Sequence, residues 1–156
     1  LAVRMYETLL ADAGYNDTIA VAPGGDVFAD SVGNEAMAKA YNLGIVGGYN
    51  SADTRAGIYV GPDDNITREQ AATMLARLME RIDTTLNRGM LSRLSGVILP
   101  FTDPISDWAY NSVKIMYETG VMAGTGSFDS KANYSIEQDI VTLMRIDNWA
   151  RMGQGG

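Results

Sequence analysis

The sequence contains no cysteine and no histidine. Disulfide bonds, thiol nucleophiles, zinc sites built on these residues and histidine-based catalytic triads are therefore excluded within the chain. Carboxylates are plentiful, but they form no recognisable acid–base constellation. We therefore expect a protein that is not an enzyme and that uses neither cofactor nor metal. An enzyme joined to this chain would have its active site outside it.

Positive charge is the second scarcity. Lys and Arg number 12 against 19 Asp and Glu residues, which gives a formal net charge of −7. Proteins that bind nucleic acid need a basic surface to neutralise phosphates, so nucleic acid is not an expected partner. No apolar run approaches the roughly 20 residues that cross a bilayer, so membrane insertion is not expected either.

What the chain does contain is an internal repeat. The segment VFADSVGNEAMAKAYNLGIVGG at 27–48 parallels PFTDPISDWAYNSVKIMYETGVMAG at 100–124, and both carry Phe-x-Asp near the start. A second segment, NITREQAATMLARLME at 65–80, parallels YSIEQDIVTLMRIDNW at 134–149. Between its two segments the earlier copy carries an insertion of about eight residues near 51–58.

The start of the chain, LAVRMYETLL, matches the later part of the second segment and sets Arg4, Arg77 and Arg145 in register. It shows no capping residue before its apolar pattern, so we expect a fragment whose N-terminus and any export signal lie upstream. The predicted organisation is one domain made of the C-terminal part of repeat one (1–25), repeat two (26–82), a linker packed on the bundle (83–99) and repeat three (100–152).

Apolar residues recur at helical spacing in both repeats, which predicts two helices in each. The stripe residues are Ala71, Leu75, Leu78 and Ile82 in the later helix of repeat two, Ala109, Val113 and Met116 in the earlier helix of repeat three, and, more weakly, Ala36 and Ala40. In the linker, the residues expected to pack on the bundle are Met90, Leu91, Leu94, Val97, Ile98 and Leu99.

Residues typical of helix ends flank the predicted helices. Gly44 and Gly120 follow the earlier helices, where a left-handed C-terminal cap favours glycine. The later helices open with the capping-box patterns Thr67-x-x-Gln70 and Ser135-x-x-Gln138. Units this short do not bury their own apolar faces, so the repeats must pack on one another.

The order of motifs in repeat two resembles that of the S-layer homology domain of bacterial surface proteins. These motifs are Phe-x-Asp, a helix, LGIVGG, a Pro-Asp turn and ITREQAATMLARL. The resemblance implies an all-α, pseudo-threefold bundle of helix-loop-helix repeats with irregular loops. It also implies a secreted protein at the cell wall or cell surface, anchored non-covalently by secondary cell-wall polymer bound in grooves between repeats. A pyruvylated glycan is one such polymer. The alternative is a structural or assembly module whose grooves have lost glycan binding and contact other copies of a surface-layer protein.

In that family the Arg of the Thr-Arg-acidic motif and the glycine loop are the usual ligand contacts. Carried onto this sequence, the candidate ligand-binding residues are Thr67, Arg68, Glu69, Gly47, Gly48, Gly124, Asp30, Asp103 and Trp108. Arg68 opens a helix beside the positive end of its dipole, an unfavourable place for a cation, and with the free first-turn N–H groups it predicts an anion site.

Repeat three departs from this pattern. Ile136 stands where Arg68 stands in repeat two, and Ala123 replaces Gly47. The groove that depends on this motif is therefore expected to be degenerate, with Ile136 packed inward. Glu69 is open to three roles: bracing Arg68, accepting a sugar hydroxyl or complementing the helix dipole.

Four further features of the sequence have structural explanations. LGIVGGYN at 43–50 follows a helix and lacks a Lys-Ser/Thr ending, which argues against a nucleotide loop. Asp30 and Asp103 are expected mainly as turn or cap residues. Trp108 is expected in the core, with sugar stacking as the alternative. PDDN at 62–65 lacks the spaced ligands of a calcium loop and is expected to be a solvated turn.

Overall fold

The computed structural model describes residues 1–15, 35–46, 49–50, 58–59, 65–124 and 126–152. Its elements are α1 (Ala2–Asp12), α2 (Glu35–Asn42), β1 (Tyr49–Asn50), β2 (Ile58–Tyr59), α3 (Arg68–Thr85), a 3-10 turn (Leu91–Arg93), α4 (Asp107–Glu118) and α5 (Ile136–Met152). The predicted all-α class is confirmed. The insertion in repeat two adds a detail the pattern did not predict, because β1 and β2 flank it as a short antiparallel pair.

The predicted stripes of α3 and α4 are confirmed. Ala71, Leu75, Leu78 and Ile82 are buried in α3, and Ala109, Val113 and Met116 are buried in α4. For α2 the predicted stripe of Ala36 and Ala40 is correct at Ala40, which is buried, and wrong at Ala36, which is exposed. Ala38 is the second buried alanine of this helix. The orientation of this short helix follows its contact with α1, where the Lys39 ammonium lies 2.8 Å from the Glu7 carboxylate.

The predicted glycine caps are confirmed at both earlier helices. Gly44 and Gly120 have φ values of +77° and +74°. After each, the next residue donates its N–H back into the last turn, from Ile45 to the Ala40 carbonyl at 2.9 Å and from Val121 to the Met116 carbonyl at 3.0 Å. This is the Schellman arrangement, and its recurrence shows that the two repeats end their earlier helices in the same way.

The later helices also end alike. Gly14 after α1 and Asn87 after α3 both adopt positive φ, +87° and +51°. Gly14 follows Arg4 by the same number of residues as Asn87 follows Arg77. The sequence alignment that pairs Arg4 with Arg77 therefore also pairs the ends of the two helices in the structure. Asparagine is the non-glycine residue that best tolerates this conformation.

Both capping boxes form as predicted. The Gln70 N–H lies 3.3 Å from the Thr67 hydroxyl, and the Gln70 side chain accepts from the Thr67 N–H at 2.9 Å. Ser135 and Gln138 make the equivalent pair at the start of α5, at 3.2 and 3.4 Å. The later helix of each complete repeat therefore starts at the residue the sequence indicates.

The helices enclose one apolar core. Among the described elements, α5 packs on α1 and α3, while α2 contacts α1 and α4 packs on α3. The later helices are thus central, and each earlier helix lies against the later helix of the preceding repeat. The segment before α5 also pairs with the start of α3 through an antiparallel bridge between Thr67 and Asn133.

The segment after α3 differs from expectation in two respects. α3 continues to Thr85, beyond the predicted boundary at 82. Leu99 is buried, but Ile98 is 91% exposed, so the prediction that Ile98 packs on the bundle is wrong. Neighbouring side chains of an extended chain point in opposite directions, and burying Leu99 turns Ile98 to solvent.

Candidate functional site between the repeats

Arg68 lies at the junction of repeats two and three, and its guanidinium bonds to the next repeat. Nε donates to the Phe128 carbonyl at 2.8 Å, and Nη2 donates to the Ala123 carbonyl at 3.1 Å. The guanidinium carbon also lies 4.9 Å from the centroid of the Phe128 ring, within cation–π range. The side chain therefore fastens α3 to the glycine loop of repeat three, and it remains partly exposed.

The first turn of α3 is not an open anion site. The Arg68 N–H donates to the Ala132 carbonyl at 2.9 Å, and the Glu69 N–H donates to the Ser130 carbonyl at 3.0 Å. Gln70 is satisfied by the capping box. The expectation of free N–H groups is therefore wrong, because the segment before α5 lies along this helix end and supplies its acceptors.

Glu69 is buried and joins three parts of the fold. One carboxylate oxygen accepts from the Ser106 N–H at 3.0 Å, the other accepts from the Ser106 hydroxyl at 2.8 Å, and Lys131 forms an ion pair with it. Burial alone raises the pKa of Glu69, but these donors outweigh it and hold the pKa below its usual range. Glu69 lies in the first turn of α3, where a carboxylate complements the helix dipole as one of the three expected roles holds, and it also caps α4 across the repeat boundary, a contact that none of the three roles included.

Asp103 holds the loop that Arg68 contacts. Its carboxylate accepts N–H groups from Phe128 at 2.7 Å and from Ser130 at 3.1 Å, together with the Ser130 hydroxyl at 3.1 Å. Burial opposes ionisation, yet these hydrogen bonds lower the pKa of Asp103 to about 2. Asp103 was expected to be a turn or cap residue, but its hydrogen bonds reach a loop 25 to 27 residues further along the chain, and the N-cap of α4 is Ser106.

Gly124 and Trp108 belong to the same junction. A Cβ at Gly124 would meet the Ser127 carbonyl and would lie 2.9 Å from the Phe101 ring, so glycine is required there by close packing. Trp108, by contrast, is 59% exposed, and its predicted place in the core is wrong. It lies one residue before Ala109, and the buried Ala109 stripe turns the indole outward.

The prediction for Ile136 is also wrong. Its side chain is 72% exposed rather than packed inward. It opens α5 at the position that Arg68 occupies in α3, and no described loop covers it there. The predicted residues Gly47, Gly48 and Asp30 lie outside the described part of the chain, as do residues 62–64 of the PDDN turn.

A groove of about 880 Å³ lies where α1, α2 and the first turn of α5 meet. Charged and polar side chains at its walls include Arg4 and Glu7 of α1, Lys39 of α2, and Tyr134 and Ser135 before α5. Lys39 is paired with Glu7 and Glu35, which raises its pKa. Arg4 forms no ion pair with any residue that the structure describes.

Sequence reasoning missed this groove as a candidate site. The sequence did align Arg4 with Arg77 and Arg145, which indicated a positive charge at the same position of each repeat. It did not indicate which residues surround that charge. Tyr134 is half-buried at the groove, and its hydroxyl bonds to Thr142 and lies 3.3 Å from the Asp139 carboxylate. Burial raises the pKa values of both Tyr134 and Asp139.

Comparison with known proteins supports the resemblance to the S-layer homology domain. The family model of the S-layer homology domain matches residues 26–72 and 100–128. No curated protein and no solved structure matches the chain. Two segments of the chain in tandem therefore belong to the S-layer homology family.

This membership gives the functional class. S-layer homology domains are cell-wall-binding modules of surface proteins rather than catalytic domains. The chain is thus a module of a protein associated with the cell surface or cell wall. None of the described helices is both long and apolar enough to cross a membrane.

Proposed function

We propose that this chain anchors its polypeptide non-covalently to the cell wall by binding an anionic secondary cell-wall polymer between repeats. The observation that carries the proposal is the groove lined by α1, α2 and the start of α5. It combines apolar side chains, including the partly exposed Met74 of α3, with hydroxyl and charged groups at its rim. Clefts of this size, largely apolar with a few polar groups, are typical of small-ligand and sugar sites.

Arg4 is the proposed contact for the acidic group of the polymer. Lys39 already has two carboxylate partners, so its charge is compensated, whereas Arg4 is exposed at the groove. A guanidinium binds a carboxylate, such as a pyruvate ketal, through two parallel hydrogen bonds. Ser135 and Asn65 at the same groove supply polar groups for sugar hydroxyls.

Arg68 and Trp108 are proposed as a second contact region at the junction of repeats two and three. The Arg68 guanidinium is partly exposed, and among the described residues its Nη1 amino group has no acceptor. Trp108 lies two residues after Ser106, which bonds to Glu69, the residue next to Arg68 in the chain, and its side chain is 59% exposed. Aromatic faces of this kind pack against sugar rings.

A second candidate function has a specific observation in its favour. Arg68 and Glu69, two of the residues expected to bind polymer, form contacts that hold repeats two and three together, and Asp103 holds the loop of repeat three that Arg68 contacts. This supports an assembly module in which the motif is retained for packing and the domain contacts other protein copies.

Retention on purified sacculi separates the two functions. The chain should sediment with sacculi that carry secondary polymer and remain in solution with sacculi stripped of it. Arg4→Ala should weaken binding about tenfold or more, as expected for a lost charge-assisted pair. Arg81→Ala, an exposed arginine of α3 outside the groove, is the matched control. Equal retention on both kinds of sacculi would overturn the polymer-binding proposal.

A further inference from the structure

Asp139 places a carboxyl group on the inward stripe of α5, where α3 has an apolar residue. The capping boxes align Thr67 with Ser135, and this offset pairs the four stripe residues of one helix with those of the other. The pairs are Ala71 with Asp139, Leu75 with Leu143, Leu78 with Ile146 and Ile82 with Ala150. The other seven residues are apolar and buried. A carboxyl at a packing position is unfavourable unless it has a partner.

The dipole of α5 does not account for where Asp139 lies. Glu137 belongs to the same first turn and complements the positive end of the helix from an exposed position. Asp139 is instead partly buried, and it lines the groove of about 880 Å³ together with its counterpart Ala71. The dipole explains an acid in this turn, but it does not explain an acid at the groove.

The fold supplies little to stabilise a negative charge on Asp139. Among the described residues, its carboxylate accepts one hydrogen bond, from the Tyr134 hydroxyl at 3.3 Å. The Asp103 carboxylate, in comparison, accepts three. Burial raises the pKa of Asp139, and neither Tyr134 nor the terminal amino group of Leu1 offsets it. A carboxylate can accept about four hydrogen bonds, so most of this capacity is open to a ligand.

Arg4 brings the opposite charge to the same groove. Lys39, a second cation there, is already held by Glu7 and Glu35, whereas Arg4 has no acidic partner among the described residues. A ligand with an acidic group alone would pair with Arg4 and would be repelled by the Asp139 carboxylate. A ligand that also carries a positive charge would pair with both side chains, which favours it over a purely anionic one.

We propose that the groove selects a polymer that carries a primary ammonium as well as an acidic group, and that Asp139 binds the ammonium. This inference rests on the proposed function and narrows its ligand from an anionic to a zwitterionic polymer. An amino sugar without an N-acetyl group supplies such an ammonium. Its three N–H donors fit the open carboxylate, whereas an N-acetylated sugar offers one neutral N–H at this position.

The test measures retention of the full chain on polymer-bearing sacculi before and after N-acetylation with acetic anhydride, which removes ammonium groups and keeps acidic ones. N-acetylation should weaken retention of the parent chain about tenfold, and Asp139→Asn should weaken it about tenfold on untreated sacculi. N-acetylation should not weaken retention of Asp139→Asn further. Glu137→Gln is the matched control outside the groove and should behave like the parent. Parent retention that N-acetylation leaves unchanged overturns the proposal.

A defined pair of sugars gives a second measurement that does not depend on the wall. Muramic acid carries an ammonium and a carboxylate, whereas N-acetylmuramic acid carries only the carboxylate. In NMR titrations the parent should bind muramic acid about tenfold more tightly, and Asp139→Asn should bind the two sugars alike. Equal binding of both sugars by the parent overturns the proposal. Failure of the proposed function gives a different result, which is equal retention on sacculi with and without secondary polymer.

Urea unfolding separates ligand binding by Asp139 from a purely structural role. Because burial disfavours the ionised form of Asp139, Asp139→Asn should be at least as stable as the parent at neutral pH. Weaker binding without a loss of stability is the pattern expected of a residue that serves a ligand. A less stable Asp139→Asn variant with unchanged retention would make Asp139 a structural residue and would overturn the proposal.

Discussion

The Glu69 carboxylate receives both polar hydrogens of Ser106, the N–H at 3.0 Å and the hydroxyl at 2.8 Å. The two residues belong to different repeats, and the contact sets where α4 begins against α3. Lys131 completes the arrangement from the segment before α5. A single buried carboxylate thus joins the first turn of one helix, the N-cap of another and a loop of repeat three.

Replacing Glu69 with alanine should destabilise the fold. The substitution leaves the Ser106 N–H without its acceptor and Lys131 without its partner, and a loss of about 1–3 kcal/mol in the free energy of unfolding is expected. Urea unfolding followed by circular dichroism measures it. Glu80→Ala, an exposed acid on the same helix, is the control and should change stability little. Equal stabilities of the two variants would show that the Ser106 contact is not structural.

Arg68→Ala should also lower stability, because two hydrogen bonds to the Phe128 and Ala123 carbonyls and the stacking on Phe128 are lost together. The expected loss is about 1–3 kcal/mol, and Arg68→Lys should recover only part of it, since an ammonium lacks the planar fork. Thermal unfolding of both variants beside Arg81→Ala tests this. If Arg68→Ala unfolds like Arg81→Ala, the contact across the repeats is not stabilising.

Acid should weaken the fold through Asp103. The pKa of this carboxyl is about 2 in the folded chain and near 3.8 for the free side chain, so folding favours the ionised form. Its contribution is therefore complete above about pH 5 and is lost as the pH falls through 3.8 towards 2; it amounts to roughly 2 kcal/mol. The lowered pKa of Glu69 acts in the same direction.

The measurement is the free energy of unfolding in urea at about pH 5.5, 3.5 and 2.5, which run from above the titration into it. Asp103→Asn should be less stable than the parent chain at pH 5.5 and should show a shallower loss in acid. Glu80→Gln should keep the parent slope. A parent slope retained by Asp103→Asn would mean that other carboxyls carry the acid sensitivity.

Two glycines of repeat three should respond differently to alanine. At Gly124 a Cβ meets the Ser127 carbonyl and the Phe101 ring, so backbone and ring must both shift, at a cost of about 1–3 kcal/mol or more. At Gly120 a Cβ has open space, and only the left-handed backbone is unfavourable, by about 1 kcal/mol. Thermal unfolding should therefore rank Gly124→Ala below Gly120→Ala. The reverse order would contradict the close packing at Gly124.

Local signals in the sequence were sufficient for the helices. Thr67 with Gln70 and Ser135 with Gln138 started helices where expected, and Gly44 and Gly120 ended them, because caps and turns depend on residues within a few positions of one another. The inward stripe of α3 was equally readable from its period. Burial was less predictable in the segment after α3 and at the start of α5, as the exposed side chains of Ile98 and Ile136 show.

The sequence by itself determined the helical repeats, their register and their family. The tertiary structure decided what the motif residues contact. The sequence predicted that a ligand would bind the side chains of Arg68 and Glu69 and the backbone N–H groups of the same helix turn. In the structure their partners come from repeat three, some 60 residues further along the chain. Such long-range pairing depends on how whole helices pack, and no local pattern around residue 68 records it. The same packing opened the groove that Arg4 and Asp139 line.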